Sequence, residues 1–72
     1  SMVKIDRAFV AQLEGPDAAR SRAVLTAMIT LAGALGLDVL AVGVETEAQR
    51  AALLEMGCRH GQGYLFGRAQ PL

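Results

Sequence analysis

The chain has 72 residues, 53% hydrophobic and 19% charged, with seven Lys plus Arg against seven Asp plus Glu, one Cys, one His and no Trp. That composition excludes disorder, which goes with low hydrophobicity and high net charge. A net charge of zero offers no bulk attraction to nucleic acid or an anionic membrane. One Cys excludes an internal disulfide, and one Cys with one His excludes a structural zinc site. A chain this short hides only about 60% of its unfolded surface on folding, so without such staples burial barely offsets ordering entropy. The pattern is that of a piece of a larger unit, or of an obligate oligomer.

Ser1 before Met2 reads as a remnant of tag removal at the start of the chain, and residues 3–72 as one partial domain. No basic run precedes a hydrophobic stretch, so a secretory signal is not expected. The most apolar window, residues 23–37, is shorter than the ~20 residues of a membrane span. Cytoplasm is the expected compartment. Val3-Lys4-Ile5-Asp6 alternates as a short strand, with Val3 and Ile5 on one face and Lys4 and Asp6 on the other. A loop follows, punctuated by Gly15-Pro16, and Asp17 is placed to cap a helix. In that helix Val24, Met28, Leu31 and Leu35 form the stripe, flanked by Leu25, Ile29 and Ala32, and Gly36 sits where a left-handed cap belongs.

Residues 39–44, Val-Leu-Ala-Val-Gly-Val, suit a strand buried on both faces of a parallel sheet. Thr46 and Gln49 form a capping box that starts a second helix, with Ala48, Ala52, Leu53 and Met56 inward and Gly57 at its end. Residues 61–66 read as a third, glycine-broken strand, with Gly67 and Pro71 marking the exit. The alternation predicts a βαβαβ unit of parallel strands with right-handed crossovers. Its two helices cover one sheet face only. The face bearing Leu40, Val42 and Val44 is then expected to be wet and to drive assembly with other copies.

Polar groups gather at one end of these strands. Lys4 and Asp6 read either as a salt bridge or as a lysine set for a phosphate and oriented by a carboxylate. Glu45 reads either as an acidic residue favoured near a helix N-terminus or as a working carboxylate at the end of a parallel strand, where α/β folds place them. Gln62, between Gly61 and Gly63, marks a bulge or offers an amide to a nucleobase edge or phosphate oxygen. Cys58 is expected to fill a core gap and His60 to be a polar loop residue. Tyr64 and Phe66, at period two, are expected in the core. Arg20 with Arg22, and Arg50 with Arg59, make no run for nucleic acid.

Taken together, Val3-Lys4-Ile5-Asp6-Arg7 with Phe9-Val10, Gly43-Val44-Glu45-Thr46 with Gln49, Gly57-Cys58, and Gln62-Gly63-Tyr64-Leu65-Phe66 resemble the C-terminal part of the EAL domain. That family comprises bacterial phosphodiesterases that hydrolyse cyclic di-GMP to the linear dinucleotide. The resemblance implies the last third or so of a (β/α)8, TIM-type barrel, completed here by oligomerisation. It implies that Lys4 contacts the reacting phosphate or its attacking water and that Asp6 accompanies it. Glu45 would order the active-site loop, and Gln62 would lie near the nucleotide. Two departures weigh against catalysis. Val42 stands where the family has the first Glu of its Glu-Gly-Val-Glu-Thr segment, and the Glu-Ala-Leu strand, the Asn and Glu ligands and the Asp-Asp-Phe-Gly loop all belong to regions upstream. Ala69, where the family often has Pro, is a minor departure.

A complete family domain would use Mg2+ or Mn2+, whereas no metal or other cofactor is expected of this chain. Two-metal hydrolysis needs cations ~3.5–4 Å apart clamped by several carboxylates. The expected partners are further copies of the chain and, weakly, cyclic di-GMP, with no nucleic-acid polymer and no membrane segment. The alternative is a degenerate EAL-like interaction scaffold without nucleotide function.

Overall fold

In the computed structural model, which describes residues 1–63 and 67–72, the strands are β1 (Met2–Ile5), β2 (Asp38–Val42), β3 (His60–Gly63) and β4 (Gly67–Pro71). The helices are α1 (Arg7–Ala11), followed by a 3-10 turn over Gln12–Glu14, then α2 (Ala18–Ala34) and α3 (Glu47–Glu55). The sheet order is β1-β2-β3-β4, with β1–β2 and β2–β3 parallel and β4 antiparallel on β3. The parallel βαβαβ unit expected from the alternation is therefore present.

Two elements are additions to it. Where a loop was expected after β1, Asp6 caps α1, its carboxylate accepting from the Ala8 N–H at 3.1 Å. Where the chain was expected to leave, residues 67–71 turn back on β3 as an exposed edge strand ending in proline, a residue sheets tolerate at edges. His60, expected in a loop, is the first residue of β3. The part of the third strand read at Tyr64–Phe66 lies outside the described residues.

The helix ends follow the local signals. Asp17 occupies the N-cap of α2, although its side chain makes no capping bond. At the other end the Leu37 N–H donates to the Ala32 carbonyl at 2.9 Å across Gly36, the six-to-one bond of a glycine cap. The capping box of α3 is complete: Thr46 Oγ1 accepts from Gln49 N–H at 3.1 Å, and Gln49 Oε1 accepts from Thr46 N–H at 3.2 Å.

One hydrophobic cluster lies between helices and sheet. It unites Ile5, Val39, Ala41 and Val44 with Val10, Leu25, Ile29, Ala32, Leu53, Met56 and Cys58. Three expectations about burial are corrected. In α2 the buried residues are Leu25, Ile29 and Ala32, whereas Val24, Met28, Leu31 and Leu35 are 47, 40, 61 and 65% exposed. At 3.6 residues per turn the two stripes are centred about a quarter-turn apart, so one sheet face covers only one of them. In α3 the capping box draws Gln49 inward, 5% exposed, with Leu53 and Met56, and Ala48 stays outside.

The third correction concerns the sheet face. Leu40 is 3% and Val44 0% exposed, and Val42 is half-buried. Gly43 at φ +81° breaks the strand alternation and sends Val44 to the helix side. Of the large apolar side chains left exposed among the described residues, four are on α2 (Val24, Met28, Leu31 and Leu35), and the others are Met2, Phe9 and Leu54.

Cys58 fills the core as expected, its thiol against the His60 carbonyl at 3.4 Å. Burial pushes its pKa up, an effect only partly countered by backbone hydrogen bonds. The thiol is therefore a weaker acid folded than unfolded, and its contribution to stability falls as pH rises through the ordinary thiol range, where the unfolded chain ionises first. Labelling with a thiol-specific disulfide reagent in native buffer is expected to run far slower than in denaturant, and unfolding free energy to drop between pH 8 and pH 10. Equal labelling rates in the two conditions would contradict this burial.

Candidate functional site

The parallel register arranges the candidate residues in rows. Lys4, Leu40 and His60 are in register across β1, β2 and β3, and two residues further towards the strand ends Val42 pairs with Gln62. Because Ile5 and Ala41 face the helices, alternation turns Lys4, Leu40, Val42 and Gln62 to the opposite face. Lys4 and Gln62 thus share one face, with Val42 beside Gln62. Lys4 is exposed.

The other two candidates are placed differently. Asp6 lies past the end of β1, and its carboxylate is turned back onto α1 as a cap. That favours its structural reading over a salt bridge with Lys4, and no such ion pair is found among the described residues. Glu45 is exposed on the loop between β2 and α3.

Backbone hydrogen bonds hold that loop from two sides. The Gln62 carbonyl accepts from both Gly43 N–H, 2.8 Å, and Val44 N–H, 3.0 Å. Gln49 Oε1 accepts from Glu45 N–H at 2.8 Å as well as from Thr46 N–H. A third tie comes from the 3-10 turn, where the Thr46 hydroxyl donates to Glu14 Oε1 at 2.8 Å. The peptide of Glu45 is therefore fixed while its carboxylate is free to face solvent or a ligand.

Two glycines make this packing attainable. A Cβ on Gly43 would come within 2.7 Å of Arg7 Cγ, so the arginine stem lies directly across that glycine. A Cβ on Gly63 would meet Val44 N at 2.5 Å, and that close approach lets β3 grip the loop. Arg7 and Glu14 are the residues of this region that sequence reading missed. Their contacts join positions 36 and 32 residues apart (Arg7 to Gly43, Glu14 to Thr46), which no local spacing encodes.

The donor set does not fit a divalent-metal centre. Among the described residues no group of three His, Cys, Asp or Glu side chains converges to hold an ion. Asp6 is committed to a helix cap, Val42 has no donor atom, and Glu45 is the one carboxylate left at this edge. A hollow of about 370 Å3 lies elsewhere, between the C-terminal ends of α2 and α3, lined by Asp38, Arg59 and His60. None of Lys4, Asp6, Glu45 or Gln62 borders it.

A layered α/β unit with polar residues at the ends of parallel strands is the architecture of barrel-type domains, and comparison with known proteins specifies which. The EAL domain family matches residues 1–69; the chain belongs to that family and corresponds to a C-terminal part of its domain. It is 44% identical over 71 residues to the cyclic di-GMP phosphodiesterase RocR of Pseudomonas aeruginosa, covering 99% of this chain and 18% of that protein. Among solved structures it resembles the EAL enzyme Bd1971 in its cAMP-bound form, with TM-score 0.86 and 38% identity over 99% of this chain and 19% of that one. It also resembles the PaMucR phosphodiesterase in complex with c-di-GMP, with TM-score 0.84 and 41% identity over 99% of this chain and 28% of that one. The chain thus spans under a third of each of these proteins, and its fold is a segment of their TIM-type barrel.

Gly43→Ala is expected to lower stability by about 1–3 kcal/mol, the scale for a non-glycine residue held at positive φ, with the Arg7 contact adding to the cost. In an Arg7→Ala background the same change should cost less, because only the backbone strain remains. Urea unfolding of the two single variants and the double variant measures the difference. An unchanged cost would mean that the arginine stem does not pack there.

Proposed function

We propose that this chain is the C-terminal portion of a cyclic di-GMP phosphodiesterase domain and that, by itself, it binds the nucleotide weakly without hydrolysing it. The observation that carries the reading is that Lys4 on β1 and Gln62 on β3 share one sheet face, with Val42 beside Gln62 on the intervening strand β2. A cation and an amide suited to a phosphodiester and a base lie on that face, and the carboxylate expected on the strand between them is a hydrocarbon.

In this reading Lys4, held by a strand, presents its ammonium to the phosphate or to the water that attacks it. Gln62 has two roles, its side-chain amide near the nucleotide and its carbonyl holding the Gly43-Val44 turn. Glu45 extends from the fixed loop as the free carboxylate of the edge. Asp6 acts through position, starting α1 and so setting Arg7 across Gly43. Mg2+ or Mn2+ in a complete domain would supply Lewis-acid activation of the phosphodiester, and the side chains to hold it would come from outside this segment. No helix among the described residues is long and apolar enough to cross a membrane. The proposed setting is the cytoplasm, where the chain assembles with further copies.

The second reading, an interaction scaffold without nucleotide function, is favoured by the uncovered apolar stripe of α2. Titration with cyclic di-GMP by calorimetry, in Mg2+ and at up to several hundred micromolar, separates the two. Saturable binding that Lys4→Ala abolishes, with no linear dinucleotide detected by chromatography, is expected. Metal-dependent turnover by the purified chain would overturn the inactive reading, and absence of binding would leave the scaffold.

A further inference from the structure

We propose that Glu14 is a positioning residue of the candidate site: through the hydroxyl of Thr46 it holds the peptide of Glu45, and so sets where the free carboxylate of that edge stands. The inference deepens the proposed function and rests on it for what Glu45 meets. Every contact it uses joins two segments of this chain.

Glu14 is the last residue of the 3-10 turn, and that turn is anchored in three ways. The Gly15 N–H donates to the Gln12 carbonyl at 3.1 Å and closes its backbone. Leu13 packs against the hydrophobic cluster. The Gln12 side chain accepts from the Ser21 hydroxyl at 3.3 Å, which ties the turn to α2. Glu14 is exposed, and on a free loop an exposed side chain loses much backbone and rotamer entropy to make one bond. A turn already held in this way has less of that entropy to lose.

The Thr46 hydroxyl is the relay. A hydroxyl has one proton to donate and lone pairs to accept with. Here the proton goes to Glu14 Oε1 at 2.8 Å, and a lone pair takes the Gln49 N–H at 3.1 Å. The first bond therefore points the hydroxyl for the second. Gln49 in turn brings its Oε1 back to the N–H groups of Glu45 and Thr46, at 2.8 and 3.2 Å. Gln49 is buried, so that return is made where water competes poorly.

Arg7 works at the other end of the same loop. Its stem lies across Gly43, while Glu14 takes Thr46. One connector, residues 6–14, thus grips the loop at both ends and leaves the Glu45 side chain between them. The entropy of bringing these distant segments together is lost once. With Arg7 in place the Glu14 bond closes only a short ring, so an exposed hydrogen bond carries weight here. The connector starts at Asp6, two residues after Lys4. The strand that carries the cation therefore also carries the brace for the carboxylate.

The neighbouring carboxylates are engaged. Asp6 caps α1, Glu47 pairs with Arg50 at 2.8 Å, and Glu14 is on Thr46. Among the described residues at this edge, Glu45 alone keeps its carboxylate for a ligand. With its peptide fixed, only its own side-chain rotations remain, which narrows the region the carboxylate reaches.

Amide hydrogen exchange followed by NMR is the test, on the chain and on variants at this exposed position. Glu14→Ala is expected to speed exchange at Glu45 and Gln49 roughly two- to tenfold, the loss of one hydrogen bond of ordinary net strength. Leu40 and Ala41 in β2 should be unchanged. Glu14→Gln keeps an acceptor oxygen and should restore the original rates. In a Thr46→Ala background Glu14→Ala should add nothing, because the relay is already gone. Titrated with cyclic di-GMP, Glu14→Ala should bind more weakly by a similar factor and Glu14→Gln should not. Unchanged exchange at Glu45, or a Glu14→Gln variant that behaves like Glu14→Ala, would overturn the positioning role. Faster exchange with unchanged affinity would overturn the place of Glu14 in the site while leaving the brace. If the unsubstituted chain binds no nucleotide, the proposed function fails, and the exchange rates with their rescue decide the brace alone.

Discussion

The Gln62 carbonyl, accepting hydrogen bonds from both Gly43 and Val44, is the constraint on which the polar end of this molecule depends. It ends β2 by taking two successive peptide donors to one acceptor, a geometry open to Gly43 because its φ is +81°. The turn sends Val44 into the core and Glu45 outward. It also delivers Thr46 in extended conformation to the N-cap of α3. Arg7 lies over the same glycine and Gly63 presses against Val44 from the other side, so α1, the end of β2 and β3 all meet at this turn. A substitution that moved it would disturb the core and the candidate site together.

The candidate site residues lie around that turn and along the adjoining sheet face. Their ammonium, amide and single free carboxylate can recognise a phosphodiester and a base. Nothing among them can take the load of paired divalent ions, since Asp6 is engaged by α1 and Val42 contributes only methyl groups. In the reading proposed above, this segment contributes groups for recognition and, among the described residues, lacks a donor set for paired divalent ions. The apolar side of α2 tells the same story in packing terms. It is a helix built for neighbours on two sides, with one neighbour present.

Much of this was legible in the chain. The Thr46–Gln49 capping box, the Gly36 cap, the parallel β2 and the core role of Cys58 all follow from signals within a few residues of each other. The family was legible too, because its motifs are short and keep their order. Less visible was the division of α2 into covered and uncovered stripes. Its apolar arc is so wide that periodicity finds the helix without saying which part meets the sheet. The alternation rule placed Leu40, Val42 and Val44 on one face, and failed at Val44 because one positive φ at Gly43 resets it.

The order of residues by itself therefore determined the βαβαβ elements, the Gly36 and Thr46–Gln49 caps, the parallel class and the identity of the polar groups, all properties of local backbone and side-chain chemistry. Tertiary structure decided which stripe of α2 is buried, that Asp6 serves a helix rather than Lys4, that residues 67–71 return as a fourth strand, and that Arg7 and Glu14 brace the Glu45 loop. Those outcomes depend on contacts between segments far apart in the chain. Which of several chemically acceptable partners a side chain meets is settled only when the sheet and helices close on one another.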